Sequence, residues 1–297
     1  MNIMTLDIGG TAIKSGIFCD GSLMDVQEIP TEAKKGGGHV IDLAVRIIRR
    51  YSACHDFEGI GISTAGQVDS VTGQIIYAND NIPGYTGMKI KSIIENEFGK
   101  PAAVLNDVNA AAMGEARFGA GRDEKDFICL TYGTGVGGAI FTGGELYPGS
   151  SFSAGEFGAV VVHPEDRDPK RDIFSGCYEQ YASVTALVRS VKKHHEDITD
   201  GRAVFSRLYD PGVRACVDGW IKEIVYGLTS LIHIFNPSCV ILGGGVMEQE
   251  YVLNEVRKLL GVHLMESFRG IQVRRTVLGN RAGMAGAAAY LIENVME

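Results

Sequence analysis

Alternating apolar and polar positions open the chain. Met4-Thr5-Leu6-Asp7-Ile8 reads as a strand, Gly9-Gly10-Thr11 as a turn, and Ala12 to Phe18 as the strand that returns. Asp20-Gly21 is a tight-turn dipeptide, so a third strand is expected near Leu23 to Ile29. The period then changes from two to 3.6: Val40, Ala44, Ile47, Ile48 and Tyr51 fall on one helical face. Ile60-Gly61-Ile62-Ser63 is a short buried strand ending in Thr64-Ala65-Gly66. Ile90, Ile93, Ile94 and Phe98 mark a second helix closed by Gly99 as C-cap. Ala102 to Leu105 is a strand, and Asn106-Asp107 begins an Ala-rich helix.

The second half restarts the same way. Phe127 to Tyr132 is a strand, Gly133 to Gly138 a glycine turn, and Ala139-Ile140-Phe141 the returning strand before Gly143-Gly144. A shift of 123 positions lays Gly10-Thr11 on Gly133-Thr134, Ile17-Phe18 on Ile140-Phe141, Gly21 on Gly144 and Leu23 on Leu146. Two domains built on one hairpin plan are expected. Helices follow near Glu179 to His195 and from Gly212 to Phe235, the latter stopped by Asn236-Pro237. Cys239 to Leu242 is a buried strand running into Gly243-Gly244-Gly245, with a helix from about Glu248, a strand near Ile271 to Val277 and a last helix from Arg281. Strands interleaved with helices indicate an α/β fold.

Composition narrows the function classes. With 45% apolar and 22% charged residues over 297 positions, the chain can bury roughly three quarters of its unfolded surface and needs no cross-link for stability. A net charge of −8 without a basic stripe argues against nucleic acid as a partner. Met1 to Gly10 has no basic leader pattern, and no apolar run approaches the ~18 residues of a membrane span, so no membrane partner and a cytoplasmic location are expected. The six cysteines are scattered without a CxxC pair and read as small buried apolar residues.

The glycine clusters carry the chemistry. Gly9-Gly10-Thr11, Gly133 to Gly138 and Gly243 to Gly245 each follow an apolar strand, and glycine lets backbone N–H groups approach an anion closely. One such turn is as easily a mere tight turn. Three, two of them related by the repeat, point to a nucleotide. GxxxxGK[ST] is absent, and Gly133-x-Gly135-x-x-Gly138 runs into a strand instead of a helix, so neither a Walker loop nor a dinucleotide fingerprint is present. Asp107, at a strand-to-helix junction, is either a helix N-cap or a carboxylate presented to a site.

Asp7-Ile8-Gly9-Gly10-Thr11-Ala12-Ile13-Lys14 resembles the phosphate signature of the ROK family (repressors, open reading frames and sugar kinases) in the actin-like ATPase superfamily. Leu105 to Ala111 resembles its catalytic segment, Thr131 to Gly138 its second phosphate turn, and Leu242 to Val246 its nucleotide loop. The resemblance implies two actin-like (ribonuclease H-like) α/β domains, each a mixed sheet flanked by helices, with a cleft between them. One would span residues 1–117 plus a C-terminal helix over 284–297. The other would span 118–283, with the nucleotide loop and a dimer surface.

It further implies ATP-dependent phosphorylation of a hexose or hexose derivative at its 6-hydroxyl, with Mg²⁺ and a homodimer. Asp107 would be the general base, and Asn106 would orient a neighbouring hydroxyl. Asn81, Gly84, Gly66, Glu156 and Glu179 would line the sugar. Asp7 would hold Mg²⁺ through water. Gly9, Gly10, Thr11, Lys14, Gly133, Thr134, Gly135, Gly137, Gly243, Gly244 and Gly245 would hold the nucleotide. Lys14 reads equally as a strand-edge surface lysine, and Glu179 as a first-turn helix acid.

The chain departs from the family in one place. Many members bind a structural zinc through a histidine three residues after the first sugar glutamate and a CxCGxxGC loop. Here that position is Ala159, and only Cys177 remains of the cysteines, so no structural zinc is expected. In those members the histidine also touches the sugar near carbons one and two, so by the resemblance alanine would leave room there, and a β-glucoside or an N-acetylhexosamine such as N-acetylmannosamine becomes as plausible as glucose. The alternative reading is a non-catalytic sugar-sensing regulator of the same fold. The family's repressors carry a helix-turn-helix ahead of the first strand, which here starts at Met4.

Overall fold

The computed structural model describes residues 1–296. In chain order the elements are β1 (Asn2–Ile8), β2 (Ala12–Cys19), β3 (Ser22–Pro30), α1 (Gly37–Ser52), β4 (Gly59–Thr64), β5 (Gln67–Asp69), β6 (Gln74–Tyr77), α2 (Ile90–Phe98), β7 (Ala102–Asn106) and α3 (Asp107–Phe118). There follow β8 (Phe127–Tyr132), β9 (Val136–Thr142), β10 (Glu145–Leu146), α4 (Glu179–Ala182), α5 (Val184–Lys192), α6 (Gly201–Ser206), α7 (Pro211–Phe235), β11 (Cys239–Gly243), α8 (Glu250–His263), β12 (Gln272–Arg275) and α9 (Ala282–Leu291). One compact unit holds Met1–Asp123 and the C-terminal segment from Val277; the other holds Glu124–Gly144 and Gly155–Thr276.

In the first unit the strands run β3-β2-β1-β4-β7, with β1 antiparallel to β2 and parallel to β4, and β4 parallel to β7. In the second, β9-β8-β11-β12 repeat the order and sense of β2-β1-β4-β7. The repeat legible as a shift of 123 positions is therefore a repeat of topology. A parallel strand beside an antiparallel hairpin needs a long return, and helices supply it: α1 between β3 and β4, α4 to α7 between β9 and β11. β4 and β11 are buried on both faces, and neither carries a charged residue; β4 turns polar only at its end, with Ser63 and Thr64.

The first unit's core packs α1 through Val40, Ala44 and Ile48 onto Leu6, Ile62 and Val104 of the sheet. Its other face takes α9, whose small residues lie against α3. Buried Glu115 of α3 fastens that arrangement: Oε1 accepts from Val277 N and Leu278 N, both at 2.9 Å, and Oε2 from Ala120 N at 2.7 Å. A buried carboxylate is tolerated here because three backbone donors satisfy it.

The helix expected from Glu179 to His195 is two helices. Ser183 adopts extended backbone, and its Oγ accepts from Ala186 N at 3.1 Å, so it stops α4 and caps α5. Buried Trp220 of α7 donates its indole N–H to Ala182 O and Ser183 O, fixing the break. No helix of the described residues is long and apolar enough to cross a membrane.

Candidate active site

Asp7 lies at the end of β1, and the registers decide what surrounds it. It stands opposite Lys14 in the antiparallel pair and opposite Ser63 in the parallel one. Ser63 Oγ donates to Asp7 Oδ1 at 2.7 Å, and Lys14 Nζ is 3.6 Å from Oδ2. Lys14 therefore sits on an interior strand, between β1 and β3, rather than on a sheet edge. The turn after β1 closes with Gly9 N donating to Ala12 O at 3.0 Å. Fully buried Thr31 braces it twice, Oγ1 to Gly9 O at 2.7 Å and N to Thr11 O at 2.9 Å. Gly10 and Thr11 face solvent, and a side chain at Gly10 would meet no heavy atom within 4 Å. The turn is braced from behind and open in front, the form an anion cradle requires.

Asp107 is the first residue of α3, and Asn106 is its cap: Asn106 Oδ1 accepts from Val108 N at 2.9 Å and Asn109 N at 3.1 Å. The N-cap alternative for Asp107 is thus taken by its neighbour. Asn106 Nδ2 donates to Gly66 O and to Asp107 Oδ1, both at 2.9 Å. Asp107 Oδ1 also accepts from Val108 N at 2.9 Å. Those bonds engage Oδ1 and leave Oδ2 as the oxygen able to take a proton. Burial, then the like charge of Asp7, pushes the Asp107 carboxyl up to about 6, against the opposing hydrogen bonds from Val108 and Asn106. Asn109 of the same turn is buried with its Oδ1 lacking a partner, a state that typically costs ~1–3 kcal/mol.

Asn81 and Gly84 lie on an exposed loop of the first unit. Asn81 N donates to Asn79 Oδ1 at 3.1 Å, and Gly84 has φ 68° with open space around it. The loop is tied to the end of β4 by Tyr85, whose buried hydroxyl bonds Thr64 Oγ1 at 2.8 Å.

In the second unit the turn between β8 and β9 is held on two sides. Gly133 O accepts from Val184 N at 2.9 Å and Thr134 O from Thr185 Oγ1 at 2.8 Å. Glu179 Oε2 accepts from Val136 N at 3.3 Å. Burial and then the neighbouring Glu156 carboxylate raise the Glu179 pKa, which places the two acids within electrostatic reach. Glu156 is exposed at the head of the Phe157–Ala159 turn, and Ala159 is exposed beside it. Gly137 lies within β9, where its neighbour Gly138 admits the Phe157 ring; a Cβ at 138 would stand 2.2 Å from it.

A cavity of about 860 Å³ opens beside this turn. Tyr132, Gly133 and Thr134 line it with Gly245 and Val246 from the loop after β11, and α5 and α6 add Val188 and Phe205. Its volume is in the range of small-molecule and cofactor sites. Gly244, at φ 99°, brings the loop so close that a Cβ would lie 2.1 Å from Tyr132 O, which only glycine permits. Gly243 packs on Thr131 and Thr276. Two of the three predicted glycine turns thus meet at one cavity.

Sequence reasoning missed Ser63, Thr31, Thr185 and the cavity walls from α5 and α6. Only Ser63 carried a usable signal, since two parallel strands ending together place Asp7 and Ser63 side by side. In the loop from His163 to Cys177, His163 bonds Glu165 Oε1 at 2.8 Å and Glu223 Oε2 at 2.9 Å through its two ring nitrogens. These bonds, Glu165 first, raise its pKa. Among the described residues, no three His, Cys, Asp or Glu side chains are grouped to hold a metal ion.

The profile of the ROK family matches residues 3–294. An uncharacterized protein of Clostridium perfringens (strain 13 / Type A) is 38% identical, over 97% of this chain and 97% of its own length. The beta-glucoside kinase of Listeria monocytogenes serovar 1/2a is 30% identical, over 99% of this chain and 98% of its own. The crystal structure of a ROK family glucokinase from Streptomyces griseus, in complex with glucose and AMPPNP, superposes with a TM-score of 0.83 at 32% identity, covering 97% of this chain and 98% of that one.

Proposed function

The chain belongs to the ROK family, and from that premise we propose that it is a carbohydrate kinase transferring the γ-phosphoryl group of ATP to the 6-hydroxyl of a hexose or hexose derivative. The observation that carries the reading is Asp107: a carboxyl at the head of α3, fixed through Oδ1 and raised to about 6. Such a group is ionised at neutral pH yet basic enough to accept an alcohol proton. Its Oδ2 takes the proton of the 6-hydroxyl as that oxygen bonds the γ-phosphorus and the bond to ADP breaks. Asn106 orients Asp107 and reaches a neighbouring sugar hydroxyl by exchanging its bond to Gly66 O. Glu156, Glu179, Asn81 and Gly84 line the sugar.

Gly9, Gly10, Thr11, Lys14, Gly133, Thr134 and Gly135 cradle the phosphates. The loop Gly243–Gly245 and the cavity beside Tyr132 take the nucleoside. The donor set at Asp7 fits Mg²⁺, which uses one or two carboxylates together with substrate phosphates rather than a protein cage. When bound, the ion neutralises phosphate charge. Asp7, held by Ser63 and Lys14, would receive it through water. No structural zinc enters this reading, since position 159 is alanine and Cys177 is the one cysteine of the loop.

A coupled ADP-release assay against glucose, N-acetylmannosamine, N-acetylglucosamine, fructose, allose and cellobiose tests the proposal. Sugar-dependent turnover supports it. Sugar binding without turnover would leave the sugar-sensing regulator instead.

Ala159 is exposed and offers only a methyl group where a histidine would reach carbon one of the sugar, so β-glucosides such as cellobiose are expected among the substrates. Ala159→His should cut kcat/KM for cellobiose ~10-fold or more relative to glucose, the scale of a pocket-shape change. Equal effects on both sugars would remove position 159 from specificity.

A homodimer working in the cytoplasm completes the proposal. Ile234 of α7 is 69% exposed, and Val262 and Met265 at the end of α8 are 76% and 60% exposed. Near the end of α7, His233 Nε2 accepts from Met265 N at 3.4 Å, so the helix ends adjoin. An apolar surface of this kind marks an interface. Light scattering should report twice the 31.9 kDa chain mass, and Ile234→Asp with Val262→Asp should halve it; a monomeric wild type would refute this.

A further inference from the structure

Glu179 packs against the turn between β8 and β9. Its Oε2 accepts from Val136 N at 3.3 Å and lies so close to Gly135 that a Cβ there would stand 2.3 Å away. The carboxylate therefore packs on the backbone of the phosphate turn, and Gly135 is glycine to admit it. Its Oε1 has no role in that contact. The rest of the segment grips the same turn. The Tyr178 hydroxyl bonds that of Tyr132 at 2.7 Å and donates to Ile224 O at 2.7 Å, burying both rings. On the far side of Glu179, Val184 N and Thr185 Oγ1 hold Gly133 O and Thr134 O at 2.9 and 2.8 Å. Residues 178 to 185 thus form a bracket around residues 132 to 136, with one carboxylate at its centre.

We propose that Glu179 is a shared anchor: one carboxylate oxygen positions the phosphate turn Gly133–Val136 while the other accepts a sugar hydroxyl, so sugar and nucleotide bind cooperatively through it. The sugar half rests on the function proposed above; the nucleotide half stands on the contacts of the turn. A hydroxyl donated to Oε1 fixes the carboxylate plane, which fixes Oε2 against Val136 N. A phosphate settled on the turn does the reverse. Linkage makes the two effects equal.

Calorimetry with Mg-ADP and with the panel hexose of highest turnover, each alone and with the other, tests this. In wild type the hexose should tighten Mg-ADP ~5-fold or more, within the usual range of such coupling. In Glu179→Ala, Mg-ADP without sugar should bind ~5-fold more weakly and the coupling factor should fall to ~1. Glu179→Gln keeps a carbonyl oxygen for Val136 N and should recover most of the Mg-ADP affinity. Thr185→Val, which frees the other side of the turn, should weaken Mg-ADP and leave the hexose alone. Unchanged Mg-ADP affinity in folded Glu179→Ala, with hexose affinity lost, would overturn the shared anchor and leave Glu179 a sugar ligand only. Weakened Mg-ADP with unchanged hexose affinity would overturn the sugar half and Glu179's place in the proposed function.

Discussion

Asp107→Asn is expected to lower kcat by ~10²–10⁴-fold, the usual contribution of a positioned general base. The substitution is nearly isosteric and spares what holds the side chain. An amide oxygen can still accept from Asn106 Nδ2 and Val108 N, as Oδ1 does now at 2.9 Å. Only the proton acceptor is lost, so hexose KM should change far less than kcat. The wild-type pH profile should agree. A base must be ionised to act, so activity falls as pH drops through its pKa. Burial and Asp7 raise the Asp107 carboxyl to about 6. The acid limb of kcat is therefore expected at about pH 6, or somewhat lower where a cation at Asp7 cancels the like-charge part. Stopped steady-state assays from pH 5 to 8 read both. An Asn variant with wild-type kcat, or a limb that survives in it, would assign the base elsewhere.

What the sequence disclosed and what it withheld divide along a physical line. Features set by local periodicity or by the register of a hairpin were legible: α2 runs Ile90–Phe98 with Gly99 as its left-handed C-cap, and the 123-residue repeat reappears as two sheets of one topology. The three glycine turns could be named because each follows an apolar strand, which is a local pattern, whereas Asp7 and Thr11 were named through the family resemblance. Ser183 was legible in principle as a cap, but the break it makes is enforced by Trp220, 37 positions away. Thr31 braces Gly9 from 22 positions away, and Thr185 braces Thr134 from 51. Such bonds depend on which elements the fold brings side by side, and no periodicity within either element records them. The same holds for Lys14. Nothing in its own strand tells whether it lies at an edge; the pairing of β2 with both β1 and β3 does.

The stability of the first unit should be most sensitive at a residue with no side chain at all. α9 approaches α3 until backbone meets backbone: a Cβ on Gly286 would lie 1.7 Å from Ala110 O and 2.6 Å from Gly114 N, and one on Gly114 2.4 Å from Ala282 O. Two opposed effects then decide Gly286→Ala. Alanine favours a helix interior by ~1 kcal/mol over glycine. Against this, the atoms it strikes are main chain on a neighbouring helix and cannot rotate aside, and overpacking of that kind costs ~1–3 kcal/mol or more. The clash is far inside contact distance, so the second effect wins, and a lower urea midpoint for the first unit is expected. Gly219→Ala supplies the opposite sign. It lies in the exposed interior of α7 with nothing within 4 Å, so only the propensity gain of ~1 kcal/mol should remain. Equal shifts for the two variants would refute the close approach. Activity should follow stability at Gly286 and not at Gly219. α3 carries Asp107 on its first turn, and Gly283 of α9 packs beneath Ser63 and Asp7, where a Cβ would come within 2.9 and 3.2 Å of their oxygens. Prising the two helices apart therefore shifts the proposed base and the proposed metal carboxylate together, and the folded fraction of Gly286→Ala should show a reduced kcat.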